Sequence, residues 1–122
     1  MSTILVVDDS LFMRKLICSI VVRAGFTVAG EAGSGFECIQ KYQEYKPDLV
    51  TLDVTMADMD GIQILKNILK IDRKAKVIMI SAMGQESVIK NAILAGAKGF
   101  IVKPFKERHI MAIFDKVLMM KR

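Results

Sequence analysis

Five residues of this chain carry chemistry at positions where chemistry can be used: Asp8, Asp9, Asp53, Ser81 and Lys103. Each stands directly behind a short apolar run. Ile4-Leu5-Val6-Val7 leads into Asp8-Asp9, Leu49-Val50-Thr51-Leu52 into Asp53, Val77-Ile78-Met79-Ile80 into Ser81-Ala82, and Phe100-Ile101-Val102 into Lys103-Pro104. Singly, each has a plain structural explanation as a turn, a helix cap or a loop stop. Jointly they do not. Two carboxylates about 4 Å apart repel by about 4 kcal/mol at an effective dielectric of about 20, so a gathered set needs a cation or a proton. Mg²⁺, bound by one or two carboxylates with waters and phosphate oxygens, suits such a set. Acids beside a lysine therefore read as a phosphate site: metal and ammonium neutralise phosphoryl oxygens while a carboxylate attacks.

The elements that must position these residues follow from periodicity. Runs that are apolar at every position suit strands covered on both faces, as in a parallel sheet. Thr27-Val28-Ala29-Gly30-Glu31 is more polar and predicts an edge strand. Between the runs the period is helical. Met13, Leu16, Ile17, Ile20, Val21 and Ala24 form one apolar stripe, with Ser10 placed to cap that helix and Gly25 to end it. Ser34 and Glu37 form a capping box ahead of Cys38, Ile39 and Tyr42. Ile62, Leu65, Ile68 and Leu69 mark a third helix; Val88, Ile89, Ala92 and Ala95 a fourth that stops at Gly96; Ile110, Ile113, Phe114, Val117 and Leu118 a last one. The pattern is α/β, with parallel strands, right-handed crossovers and helices on both faces. Ligands of such sheets bind at the carboxyl ends of the strands, where the five residues stand.

Composition narrows the classes. A chain of 122 residues has the length of one domain, about 100–200 residues being usual. It is 52% hydrophobic and 25% charged, which excludes a disordered chain. No apolar run approaches the roughly 18 residues of a membrane span. The N-terminus lacks a basic region followed by an apolar segment, so neither membrane insertion nor a signal peptide is expected. Cys18 and Cys38 fall in different helices without metal-ligand spacing, which predicts two reduced thiols in a cytoplasmic protein. The net charge of +5 favours an acidic partner or nucleic acid. Nucleic-acid binding is nonetheless disfavoured, because 6 Phe, 2 Tyr and no Trp supply few stacking side chains and no recognition-helix extension exists.

Asp8-Asp9, Asp53, Met59-Asp60-Gly61, Ser81-Ala82, and Gly96-Ala97-Lys98-Gly99-Phe100 leading to Lys103-Pro104-Phe105, resemble the receiver domain of two-component response regulators. The resemblance spans the chain, residues 1–122, and no attached output domain is expected. Asp8 to Ser10 followed by Phe12-Met13-Arg14, and Ser81-Ala82-Met83-Gly84-Gln85, are most similar to the family's stand-alone chemotaxis regulators. The resemblance implies a flavodoxin-like, five-stranded parallel sheet of order 2-1-3-4-5, doubly wound with five helices. It also implies roles. Asp53 accepts a phosphoryl group from a sensor histidine kinase. Asp9 binds Mg²⁺ directly and Asp8 through water, with Asp53 and the backbone carbonyl of Thr55 completing the ligands. Lys103 pairs with the phosphoryl oxygens. Ser81 shifts to hydrogen-bond the phosphorylated Asp53, and Phe100 turns inward through packing alone. The fourth helix, fifth strand and fifth helix then present a changed face to a target.

Several positions depart from the family pattern. Ala57 stands where a proline is frequent, which predicts a looser turn. Ala82 and Met83 belong to the loop that governs turnover; Thr55 and Met83, which bear on phosphoaspartate lifetime, are neither acids nor amides. The Lys103–Pro104 bond is expected to be cis. The implied protein is a cytoplasmic, monomeric signalling protein, not an enzyme in the ordinary sense, that catalyses only its own Mg²⁺-dependent phosphorylation and dephosphorylation. Its implied partners are the kinase and the flagellar motor switch or another phosphorylation-dependent target, with a phosphatase as a further candidate. One alternative is a phosphorelay intermediate that passes phosphate to a histidine phosphotransferase. Another, from a different class, is an aspartate-nucleophile phosphohydrolase. Such hydrolases usually show D-x-D, whereas Val54-Thr55 follows Asp53, and Gly33-Ser34-Gly35 does not extend to a nucleotide-binding G-x-x-x-x-G-K-[ST].

The remaining features have plain readings. Met13 and Met79 are expected in the core, while Met111, Met119 and Met120 are candidates for contact with a partner. His109 is expected in solvent. Lys66, Lys70, Arg73, Lys74 and Lys76 are expected to form an exposed face, and Lys121-Arg122 a charged terminus.

Overall fold

A computed structural model describes residues 2–120 of the chain; Lys121 and Arg122 lie outside the described residues. In chain order the elements are β1 (Thr3–Val7), α1 (Leu11–Arg23), β2 (Thr27–Ala32), α2 (Gly35–Tyr45), β3 (Leu49–Asp53), α3 (Gly61–Ile71), β4 (Val77–Ser81), α4 (Glu86–Leu94), β5 (Gly99–Val102) and α5 (Glu107–Leu118). All strand pairs are parallel and the order is β2-β1-β3-β4-β5. The polar strand β2 is an edge, as expected, and β5 forms the other.

The continuous apolar runs are explained by two cores on opposite faces of one sheet. Ile4, Val6, Leu49, Ile78, Ile80 and Ile101 pack with Ile17, Ile20 and Val21 of α1 and Ile110, Phe114 and Val117 of α5. Leu5, Val7, Val50, Leu52, Val77 and Met79 pack on the other face with residues of α2, α3 and α4. Phe26 and Phe114 meet edge to face, their ring centroids 6.2 Å apart, and close the first core. Both thiols are free; burial pushes Cys18 up to about 11 and Cys38 up to about 12, so neither is a thiolate at neutral pH.

The helix ends follow local chemistry. Ser10 caps α1 by accepting the Met13 N–H, and α1 and α4 end ahead of Gly25 and Gly96, whose φ values of 89° and 114° favour glycine. Ser34 caps α2 by accepting the Glu37 N–H. The return bond differs from the expected box: the Glu37 carboxylate accepts from Gly33 N–H at 2.7 Å, one residue earlier. Helix α2 ends at Lys46, a non-glycine residue in the left-handed region with φ 45°.

Three surface readings need correction. Leu16, on the predicted stripe of α1, is 37% exposed, because the core below that helix is filled by Ile17, Ile20 and Val21. Met111 packs against the α1/α5 core, whereas Met119 is 84% exposed. Lys76 is buried, unlike exposed Lys66, Lys70, Arg73 and Lys74. Its Nζ donates to the carbonyl of Leu118 at 2.9 Å, satisfying one of the orphan acceptors at the end of α5. Lys76→Met keeps the apolar stem and removes the donor. We expect it to cost about 1–3 kcal/mol in denaturant unfolding. An unchanged midpoint would show that water replaces the lysine at no loss.

Candidate functional site

The parallel strands deliver their carboxyl ends to one edge of the sheet, and four of the five predicted chemical residues are the last of a strand or the first beyond it: Asp8, Asp53, Ser81 and Lys103. Adjacent β1 and β3 bring Asp8 and Asp53 together. Asp8, Asp9 and Asp53 each offer a carboxylate oxygen within 4.8 Å of the others. Asp8 and Asp53 are buried, while Asp9 is exposed at the rim. Burial is thus uneven across the cluster, and it opens to solvent on the Asp9 side.

Lys103 enters from the far edge strand. Its backbone N–H donates to the Ser81 carbonyl at 2.8 Å, which ties the end of β5 to the end of β4. Its Nζ donates to Asp8 Oδ2 at 3.1 Å and stands 3.8 Å from Asp53 Oδ2. Asp8 Oδ1 accepts the Ser10 N–H at 2.9 Å, so both oxygens of this buried carboxylate are engaged. Asp53 Oδ1 accepts from the Thr55 N–H at 3.3 Å. Burial holds the Asp53 carboxyl above the ordinary carboxylate range; Lys103 pulls it down, and Asp8 and, more weakly, Asp9 push it up. Among the described residues one ammonium faces three carboxylates, so the cluster still favours a further cation.

The donor set tests that need. Three hard oxygen ligands, close together and open on one side, match the requirements of Mg²⁺, which keeps waters in its coordination sphere and takes few protein ligands. Among the described residues the cluster has only oxygen ligands, with no nitrogen or sulfur, which disfavours softer transition metals.

The other predicted residues surround this centre. Ser81 is buried, and its hydroxyl accepts the Met83 N–H at 2.9 Å within its own loop. Ala82 and Met83 are exposed in that β4–α4 loop. Phe100 is partly buried against the α2/α3/α4 core, one strand over from Met79. Thr55 is exposed and forms an isolated bridge with Asp60, so the chain after Asp53 folds back towards α3. Gly61 permits that return. Its N–H donates to the Val54 carbonyl at 2.9 Å, and a Cβ there would lie 2.5 Å from the same oxygen. A cleft of about 480 Å³ beside this loop is lined by Val54, Thr55, Ile62, Met83, Val88 and others. His109 is exposed, and the Lys103–Pro104 bond is cis.

Two contributors carry no signal of their own in the sequence. Asp58 accepts the N–H groups of Gly35 at 2.8 Å and Phe36 at 3.2 Å, tying the loop after Asp53 to the start of α2. Those bonds hold its carboxyl below the usual range. Arg14 donates to the backbone carbonyl of Asp8 at 2.8 Å. Each partnership ties a loop to a helix, Asp58 to the start of α2 and Asp8 to the first turns of α1.

Comparison with known proteins agrees with this geometry. The response regulator receiver domain family matches residues 4–115. Chemotaxis protein CheY of Thermotoga maritima is 51% identical over 114 residues, 93% of this chain and 95% of that protein. Chemotaxis protein CheY of Bacillus subtilis is 52% identical over 115 residues, 94% and 96% of the two chains. Among solved structures, a chain of the CheX–CheY–BeF3–Mg²⁺ complex from Borrelia burgdorferi is 40% identical with a TM-score of 0.94, covering 98% of this chain and 90% of that one. An acidic cluster met by one lysine, on a sheet of order 2-1-3-4-5, and a family match across both cores lead to one assignment: the chain belongs to the response regulator receiver domain family.

Proposed function

We propose that this receiver domain is a chemotaxis response regulator that takes a phosphoryl group on Asp53 from a histidine kinase and signals by phosphorylation-dependent binding to the flagellar motor switch. Phosphorelay signalling is the business of the family; the similarity to CheY proteins along nearly their whole length supports the chemotactic role. The observation that carries the reading is the placement of Lys103 Nζ between Asp8 and Asp53. A carboxylate beside an ammonium can attack a phosphorus atom while the cation receives the phosphoryl oxygens.

The P–N bond of a phosphohistidine breaks, a P–O bond forms to a carboxylate oxygen of Asp53, and the imidazole leaves with the electron pair. Burial makes that carboxylate more basic, hence a better nucleophile, than one in water. Asp9, Asp8, Asp53 and the Thr55 carbonyl would hold Mg²⁺, which when bound neutralises charge on the transferring phosphoryl group. Ser81 would leave the Met83 N–H to reach the phosphorylated Asp53, and Phe100 would fill the space vacated, changing the face of α4, β5 and α5. The Met83 and Ala82 side chains, exposed beside the site, would govern access of water and so the lifetime of the acyl phosphate. Since a relative has been solved in complex with CheX, a CheX-type protein is a further candidate partner. We read the protein as a cytoplasmic monomer; no described helix is long and apolar enough to cross a membrane.

The test treats the full chain with a small acyl phosphate, with and without Mg²⁺, then measures intact mass and binding to a motor-switch peptide. One added phosphoryl group that depends on the metal and strengthens peptide binding is expected. Rapid onward transfer to a histidine phosphotransferase, without a gain in peptide binding, would identify a phosphorelay intermediate instead. Repeated turnover of a phosphoester with no acyl phosphate would identify a phosphohydrolase.

A further inference from the structure

Asp8 is held by its backbone as well as by its carboxylate. Its N–H donates to the Ala32 carbonyl at 3.1 Å, at the end of edge strand β2. Its C=O accepts from Arg14 Nη1 at 2.8 Å. The guanidinium is itself anchored, since its Nε stands 3.3 Å from Glu31 Oε1 on the same edge strand. Lys15 Nζ donates to the other Glu31 oxygen at 2.8 Å, and Lys41 of α2 donates to the Glu31 carbonyl. Arg14 therefore joins the acidic loop to β2 from one turn into α1, with its side chain only 18% exposed. No part of the chemistry above uses it.

We propose that Arg14 is a positioning residue for the divalent-cation site, acting through the main chain of Asp8 to hold Asp8 and Asp9 where their carboxylates converge with Asp53. The proposal rests on the reading of the acidic cluster as a Mg²⁺ site. A planar guanidinium can satisfy the carbonyl and the carboxylate at once, which a lysine ammonium does less well. Sequence position supports the role: the residue that must turn the chain out of β1 is fixed by a side chain of the helix that follows.

The sign of the effect separates positioning from charge. A cation acting only through space repels Mg²⁺, so its removal would tighten metal binding. A cation that holds the ligand loop in place does the reverse, and losing such outer partners typically weakens metal affinity by about 10–100-fold.

The experiment titrates Mg²⁺ alone into the full-length wild type, Arg14→Ala, Arg14→Lys and Glu31→Gln, using calorimetry, with thermal melts as a check on folding. We expect the Arg14→Ala Kd to rise about tenfold. Arg14→Lys should recover only part of that loss, since an ammonium keeps the charge without the fork, and Glu31→Gln, which leaves Arg14 in place and only loosens its anchor, should weaken binding by less than Arg14→Ala does. The rate of phosphoryl uptake should fall at low Mg²⁺ and return near the wild-type value at saturation. Unchanged or tighter Mg²⁺ binding by folded Arg14→Ala or Glu31→Gln would overturn the proposal. Failure of the wild type itself to bind Mg²⁺ would overturn the metal-site reading, and this proposal with it.

Discussion

Asp53→Asn is expected to take up no phosphoryl group from a small acyl phosphate at any Mg²⁺ concentration, and to be more stable than the wild type when metal is removed. An amide is not a nucleophile at neutral pH, and Asp53 is the acid at the end of β3 that lies within reach of Lys103. The expected gain in stability follows because Asp53 is buried beside other acids and only partly compensated by one ammonium. Removing one of the buried like charges should stabilise the folded chain by on the order of 1 kcal/mol, a few degrees in Tm. The pH dependence identifies the source. An acid whose pKa is raised on folding binds its proton more tightly in the folded state, so wild-type stability gains as pH falls from the raised value towards the ordinary 3.8. The penalty is complete above the raised value. The advantage of Asp53→Asn should therefore be greatest near neutral pH and shrink on acidification. Asp58 and Glu31, whose carboxyls are held low, lose stability on acidification in both proteins and cancel in the difference. Melts in chelator from neutral pH down to about pH 4 would check this, and an advantage that does not vary with pH would contradict it. Residual labelling of Asp53→Asn would move the acceptor elsewhere.

Lys103→Met gives the second large effect, with opposite sign on stability. The substitution keeps the length of the side chain and strips Asp8 and Asp53 of their shared cation. Breaking one partner of a buried ion pair typically costs about 3–5 kcal/mol. We expect about 2–4 kcal/mol here, since the Lys103 side chain is 18% exposed and the site opens to solvent. Mg²⁺ binding should tighten by about tenfold or more, because the divalent ion no longer competes with an ammonium. Added Mg²⁺ should then recover much of the lost stability by mass action. Phosphoryl uptake should slow by about 10²-fold, as when one donor to a developing oxyanion is removed, yet remain detectable. Binding to the target should cease to respond to it. Four measurements check the set: unfolding with and without Mg²⁺, Mg²⁺ titration, the rate of phosphoryl uptake, and target binding before and after phosphorylation. A normal phosphorylation-dependent gain in target binding would remove Lys103 from the switch.

Much of the fold was legible because it depends on short-range chemistry. The apolar runs at 4–7, 49–52, 77–80 and 100–102 grew by one residue or none at either end in the structure. Ser10 and Ser34 cap the helices expected of them, because a cap is decided between residues three apart. Errors arose where burial depends on a distant element. Lys76 read as one more cation on a basic face, and only the packing of α5 beneath it explains its burial against Leu118, 42 residues away. Leu16 and Met111 exchanged expected roles for the same reason: a stripe specifies a direction, and the neighbouring helix decides how far coverage extends.

The amino-acid sequence by itself determined that acids, a hydroxyl and a lysine would stand at strand ends, since alternation of apolar runs with amphipathic helices forces a parallel sheet whose carboxyl ends share one edge. Only the tertiary structure decided how they meet. Lys103 and Asp8 are 95 residues apart, and their 3.1 Å contact exists because β1, β3, β4 and β5 lie in that order with a fixed register. The bond from Arg14 to the Asp8 carbonyl, the Asp58 tie to α2 and the raised pKa of Asp53 belong to the same class. Each is a product of distance and burial, quantities that residue type and spacing do not contain.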